Sequence, residues 1–255
     1  MFYTVGYAML VLTRNNLGAL GGAFSDISII GFHSLLVILA LIHFISPIQI
    51  TLSLGLIPLF LWFVIAPQRR KRFLQPLLEV KEALKGKELL LIFFLLLILF
   101  SGSATITYFD TGLYHLQNIN WIKEYPLIKG LGNIHGRFAF NSHLFLVNGL
   151  NSYISPSAAA LPTNAALYLL LVYRLYTFVK TEPSSAKKGV FYLCLVLSTL
   201  SFFYLFNSAS TDVPVSLLTI YLLSLLFRFG SELNRHSFLV VLTICSTLFL
   251  IKVSA

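Results

Sequence analysis

The chain has 255 residues, of which 57% are hydrophobic and 11% charged, and its mean hydropathy is +0.85. A water-soluble domain of this length could not cover so much apolar side chain with polar surface, so the composition points to lipid as the solvent. The formal net charge of +9 does not indicate nucleic acid, because the cations form no basic face and instead cluster between apolar runs, as in membrane proteins.

A crossing helix needs about 20 apolar residues. In chain order, apolar runs fall at 1–13, 28–45, 50–66, 89–108, 164–179, 189–207, 214–229 and 237–253. They predict an all-α, polytopic transmembrane bundle of seven or eight spans. The opening "MFYTVGYAMLVLT" has neither a basic start nor a small-residue cleavage site, and reads as a short first span rather than a signal peptide. The final "SFLVVLTICSTLFLIKVSA" stops as a run is finishing and reads as part of a longer protein. Cys194 and Cys245 lie inside apolar runs and are expected to pack as small hydrophobes rather than to bridge. The stretch 143–150 is too short to cross and is expected to be interfacial or re-entrant.

The segment 67–88 carries Arg69, Arg70, Lys71, Arg72, Lys81, Lys85 and Lys87, which makes it cytoplasmic by the positive-inside rule. Alternation then places fourteen of the 18 cations inside, with Arg174 near that face, and leaves Lys123, Lys129, Arg137 and Lys252 outside. The loop 109–163 and the turn 208–213 are therefore external. Two of the nine acidic residues, Asp110 and Asp212, sit there where a loop meets a helix, and the spans are read as nearly free of charge.

In "DTGLYHLQNINWIKEY" Tyr114, Asn118, Trp121 and Tyr125 recur at helical spacing with Leu113, Leu116 and Ile119 beside them, which predicts an amphipathic interfacial helix. In the following "PLIKGLGNIHGRFAFNSH", Gly130, Gly132 and Gly136 permit tight turns, while Asn133, His135, Arg137, Asn141 and His143 supply polar groups. Such a collection beside a bilayer suits a polar ligand or a lipid with a polar head. A structural account competes with it. Asp110 and Asp212 each stand where an N-cap belongs, His115 suits packing, His33, His43 and His236 are read as structural, and Arg137 suits snorkelling to headgroups. His135 and His143 match no metal-ligand spacing, and no metal site is assigned.

An acid opening the first large outer loop, then an interfacial helix, then a second acid at a later outer turn resembles the GT-C-type membrane glycosyltransferases that use polyprenyl-phosphate sugars. The stretches "FDTGLYHLQNINWIKEYPLIKGLGNIHGRFAFNSH" and "NSASTDVPVSLL" look like a bacterial branch of multi-spanning proteins of GT-C appearance. The resemblance covers 89–255, with 1–88 contributing N-terminal spans and the cytoplasmic loop to a single, incomplete module. It implies transfer of a sugar from a polyprenyl-phosphate donor to a glycan, lipid or protein acceptor on the outer face of a bacterial inner membrane. Asp110 would be the general base, with Asp212 orienting the acceptor or holding a divalent cation if one is used. His115, Gln117, Asn118, Asn133 and His135 would contact the substrate, and Arg137 and Lys252 would meet the departing phosphate. The family's later loops and C-terminal globular part are absent from the sequence. A glycan polymerase or ligase, a transporter or flippase, and a purely structural membrane partner are the competing readings. Nothing in the sequence suggests nucleic acid, nucleotide, haem or flavin.

Overall fold

A computed structural model describes residues 1–12, 23–83, 85, 108–139, 142–153, 163–202, 205–206, 208–230 and 232–252, and every regular element among them is helical. The helices are α1 (Phe2–Leu12), α2 (Ala23–His43), α3 (Ile50–Ile65), α4 (Pro67–Ala83), α5 (Leu116–Glu124), α6 (Leu144–Asn151), α7 (Thr163–Thr181), α8 (Ser185–Phe202), α9 (Asp212–Phe229) and α10 (Arg235–Ile251). A π turn over Thr111–His115 leads into α5, and two 3₁₀ turns, Leu131–Asn133 and Gly136–Ala139, follow it.

By length and composition, α2 (over Phe24–His43) and α9 can cross a membrane, and the bent pair α3–α4 makes a third if it is one span. Seven or eight crossings are thus reduced to two or three among the described residues. The shortfall has physical causes. Helix α1 has 11 residues, about 16 Å of rise, and α10 is likewise a shorter apolar helix. Helix α7 carries three tyrosines, Arg174 and Lys180, and α8 opens with Lys187 and Lys188, which lowers their mean hydropathy. The run 89–107 lies outside the described residues.

Helix α2 is the centre of the bundle. Ile27, Phe32, Leu36 and Leu39 are almost wholly buried, and the helix packs against α1, α4, α6, α7 and α10. Against α1 it comes backbone to backbone. A Cβ on Gly31 would lie 1.8 Å from the Phe2 carbonyl oxygen, and one on Gly6 1.9 Å from that of Ile27. Phe2 thus faces Gly31 while Gly6 faces Ile27, so the two helices run antiparallel. No side chain fits in that seam.

Three further features depart from the sequence reading. First, the spans are not free of charge. Arg174 of α7 pairs with Asp26 of α2 at 2.8 Å, both almost wholly buried. The Tyr221 hydroxyl of α9 donates to the same carboxylate at 2.6 Å, and the guanidinium lies 4.5 Å over the Phe178 ring. Arg174, expected near the cytoplasmic face, is thus inside the bundle. Second, the stretch after His143 is packed inside the bundle, with all eight residues of α6 buried. Third, 67–83 is a helix rather than an open loop, bent 105° from α3. Its Phe73 is clamped against Tyr7 at 5.1 Å edge-on and Phe63 at 5.4 Å stacked, and its carbonyl accepts from the Tyr3 hydroxyl at 2.5 Å. The two cysteines are half-buried and unbonded.

Helix direction separates the charges. Ile48, just before α3, donates to the Ile122 carbonyl of α5, so α4 at the far end of α3 is opposite α5. The starts of α7 and α9 and the end of α10 share the α5 end, and the Glu182–Arg228 ion pair, 3.3 Å, marks the other. Lys123, Lys129, Arg137 and Lys252 therefore sit apart from Arg69–Arg72, Lys180, Lys187, Lys188, Arg228 and Arg235, the partition expected from the cation pattern.

The seam gives a direct prediction. Gly31→Ala forces the α1 and α2 backbones apart and is expected to cost about 1–3 kcal/mol, as overpacked sites do. Gly55→Ala, where nothing lies within 4 Å of the new Cβ, is expected to be neutral or mildly stabilising. Thermal unfolding of the two variants in detergent should rank them in that order.

Candidate functional site

The α5 end of the bundle is built on a layer of buried polar side chains. Asn151 donates to Thr163 Oγ1 at 2.9 Å, and the Thr163 hydroxyl donates onward to Asn148 Oδ1 at 2.7 Å. Asn164 donates to the Ser208 carbonyl at 2.9 Å. All of these are buried, and they fasten α6 to α7 and α7 to the turn before α9. Over this layer, the backbone N–H of Ala209 donates to Thr111 Oγ1 at 3.1 Å, with both residues wholly buried. Thr111 follows Asp110 directly and Ala209 lies three residues before Asp212. That bond ties the two aspartate-bearing segments together.

Neither carboxylate caps a helix. Asp110 has helical backbone angles and no side-chain cap hydrogen bond. Asp212 lies inside the first turn of α9, with Thr211 at the cap position and also bonding nothing there. The capping account that suits the sequence therefore fails for both. Each acid holds a cation from another segment instead. Arg137 Nη1 lies 2.6 Å from Asp110 Oδ1, its guanidinium 5.2 Å over the Tyr114 ring, and Lys252, capping the end of α10, bonds Asp212. Both pairs are partly open to solvent.

His115 lies behind these pairs. It is buried, 3.4 Å from Thr111 Oγ1, 4.2 Å from the Tyr114 ring and 5.2 Å from Phe145. Burial drives its pKa down to about 4, although Asp110 and Asp212 both pull the other way. The ring is neutral at pH 7 and serves as a hydrogen-bonding and packing group.

A helix occupies the stretch expected to be interfacial, and a π turn precedes it. The Leu116 N–H bonds the Thr111 carbonyl, five residues back, and the wide turn sends Thr111, His115, Asn118 and Ile119 inward while Leu113 is 48% exposed. Leu113 was expected in the apolar stripe. Asn118 faces a neighbouring groove of about 170 Å³ between α2, α5 and α6, lined also by Ala40, Trp121, Leu131, Ser142 and His143.

The remaining residues expected at the site divide. Arg137 and Lys252 join the aspartates. Gln117 faces solvent. Asn133 is exposed in the first 3₁₀ turn, which Gly130 opens at φ 84°. His135 is exposed, accepts from the Arg137 N–H at 3.3 Å and packs on Phe138. His143 is structural, bonding the Leu250 carbonyl at 2.9 Å. Asn141 lies outside the described residues. No group of three or more His, Cys, Asp or Glu suited to a metal ion occurs among the described residues. Thr111, Tyr114 and Ala209 were missed, because a threonine hydroxyl accepting from a distant backbone N–H leaves no spacing signal.

Two outcomes test this geometry. Thr111→Val keeps the shape but leaves the buried Ala209 N–H unpaired, so it is expected to cost about 1–3 kcal/mol in unfolding measurements, while Thr111→Ser restores most of the loss. For His115 the native pKa lies below the ordinary 6.5, so between pH 6.5 and 4 the unfolded chain binds a proton that the native site refuses. Stability is then full above pH 6.5 and falls as pH drops through that window. The melting temperature of His115→Gln is expected to change less between pH 7.5 and 4.5 than that of the parent.

The chain matches no curated protein and no solved structure. Over residues 1–255 it matches the family described as Domain of unknown function (DUF8201), and the chain belongs to that family.

Proposed function

We propose that this chain is a membrane glycosyltransferase that takes a sugar from a polyprenyl phosphate and passes it to an envelope glycan, lipid or protein acceptor at the α5 end of the bundle. The observation that carries the reading is the convergence of Asp110 and Asp212, tied through Thr111 and Ala209, with each carboxylate held by a cation from a separate segment. An anionic ligand can take over such cations. A donor phosphate engaging Arg137 and Lys252 would release both carboxylates. Asp110 is then the general base. It accepts the acceptor hydroxyl's proton as that oxygen bonds the anomeric carbon, and the bond from that carbon to the phosphate oxygen breaks. The phosphate leaves as an anion and needs no acid to protonate it. Asp212 orients the acceptor, and neutral His115 with Tyr114 forms the wall behind. The placing of the α5 end on the periplasmic side of a bacterial inner membrane belongs to this reading, as does any divalent cation held at Asp212.

A transporter is the second reading. The buried Asp26–Arg174–Tyr221 set favours it, because ionisable groups inside a membrane bundle often mark a transport path.

One substitution separates the two. Asp110→Asn keeps size and hydrogen bonding but accepts no proton at neutral pH. In membranes supplied with radiolabelled polyprenyl-phosphate sugar, the variant is expected to express and fold normally and to lose transfer by at least about 100-fold, the scale of general-base catalysis. Transfer at the parental rate would remove Asp110 from the chemistry.

A further inference from the structure

At the opposite end from the aspartates, four consecutive cations, Arg69, Arg70, Lys71 and Arg72, occupy the first turns of α4, and all four are exposed. None has a carboxylate within ion-pair distance among the described residues, where the ion pairs of this end are Lys85–Glu82 and Arg228–Glu182. Beyond the cations the helix is anchored, with Phe73 1% exposed and Leu74 and Leu77 packed on the core. The 105° bend at Ala66 lays α4 across the end of α3 rather than extending it. The adjoining part of α3 is apolar and bare, with Ile57, Leu61, Trp62 and Ile65 between 43% and 72% exposed. The Arg69 guanidinium stacks 3.9 Å over Trp62, at the junction of the two surfaces.

We infer that the α3–α4 elbow binds anionic phospholipid, with the Arg69–Arg72 cluster on the headgroup phosphates and the exposed face of α3 along the acyl chains. The two surfaces meet at the angle a lipid requires. A charged head lies along the membrane plane and its chains run perpendicular to it, as α4 and α3 do. A soluble polyanion would match the cations but leave the apolar face of α3 uncovered. A zwitterionic lipid would cover that face but offer no net charge to four unpaired cations. Basic side chains beside an anionic leaflet attract it individually and fall silent at high salt. The inference rests on α3 lying in the membrane and not on sugar transfer at the other end.

Trp62 reports directly on this surface. The chain has two tryptophans, and Trp121→Phe leaves Trp62 alone. The full-length variant is placed in bilayer nanodiscs of phosphatidylcholine containing either phosphatidylglycerol or phosphatidylcholine with brominated chains, which quench tryptophan on contact. Brominated phosphatidylglycerol is expected to compete for the site at least about fivefold better than brominated phosphatidylcholine, the contribution of one basic residue near an anionic surface. The preference should vanish in Arg70→Gln/Lys71→Gln/Arg72→Gln, which spares the Arg69 stack. It should also vanish in the unaltered chain at about 1 M salt, where charges are screened within about 3 Å. Equal quenching by the two lipids, no quenching by either, or a preference that survives both treatments would overturn the inference. Because the readout is lipid contact, Asp110→Asn is expected to leave it unchanged.

Discussion

A single hydrogen bond, from the Ala209 N–H to the Thr111 hydroxyl, brings the two acidic segments together. Both partners are wholly buried, so each would carry the full penalty of an unpaired polar group if the other left. The constraint works because of what lies beneath it. Asn148, Asn151 and Thr163 fasten the end of α6 to the start of α7, and Asn164 holds the Ser208 carbonyl. Asp110 and Asp212 then need no contact with each other. Their separation is set by backbone held elsewhere, and their charges are balanced by Arg137 and Lys252 reaching in from the loop and from α10.

The bundle handles its ion pairs in two ways. At the α5 end the ion pairs are partly wet, individually weak, and therefore exchangeable. Inside it, Asp26 and Arg174 are dry, and removing either would leave an uncompensated charge in an apolar bundle. The same chemistry, carboxylate against guanidinium, is thus labile in one place and obligatory in the other, according to the water around it. The α4 cations form a third case, exposed and unpaired by any acid of the described chain.

Much of this was legible in the residues. Apolar runs announced helices, and the cation pattern separated two ends that the helix directions reproduce. Asp110 and Asp212 stand out by their placement on one face, and the structure pairs them with Arg137 and Lys252, which the family resemblance groups with them. The failures share a cause. Helical periodicity assumes 3.6 residues per turn, so the π turn before α5 moved Leu113 outward and Thr111 inward. Span counting treats an apolar run as straight and lipid-facing. Helix α1 is shorter than a bilayer, α3 breaks at Ala66, and α7 and α8 carry charges that lower their hydropathy. The Asp26–Arg174 pair joins residues far apart in sequence, and no local pattern anticipates it.

The wide turn at Thr111–His115 also sets the bearing of Asp110. A five-residue hydrogen-bond loop holds one residue more than an α-turn, and one residue is about 100° of rotation about the helix axis. An unbroken α-helix seated on the same α5 would therefore present Asp110 about 100° around the axis from where Arg137 meets it. Thr111 is both the start of the turn and the acceptor for Ala209, so one hydroxyl anchors the offset and the neighbouring segment together.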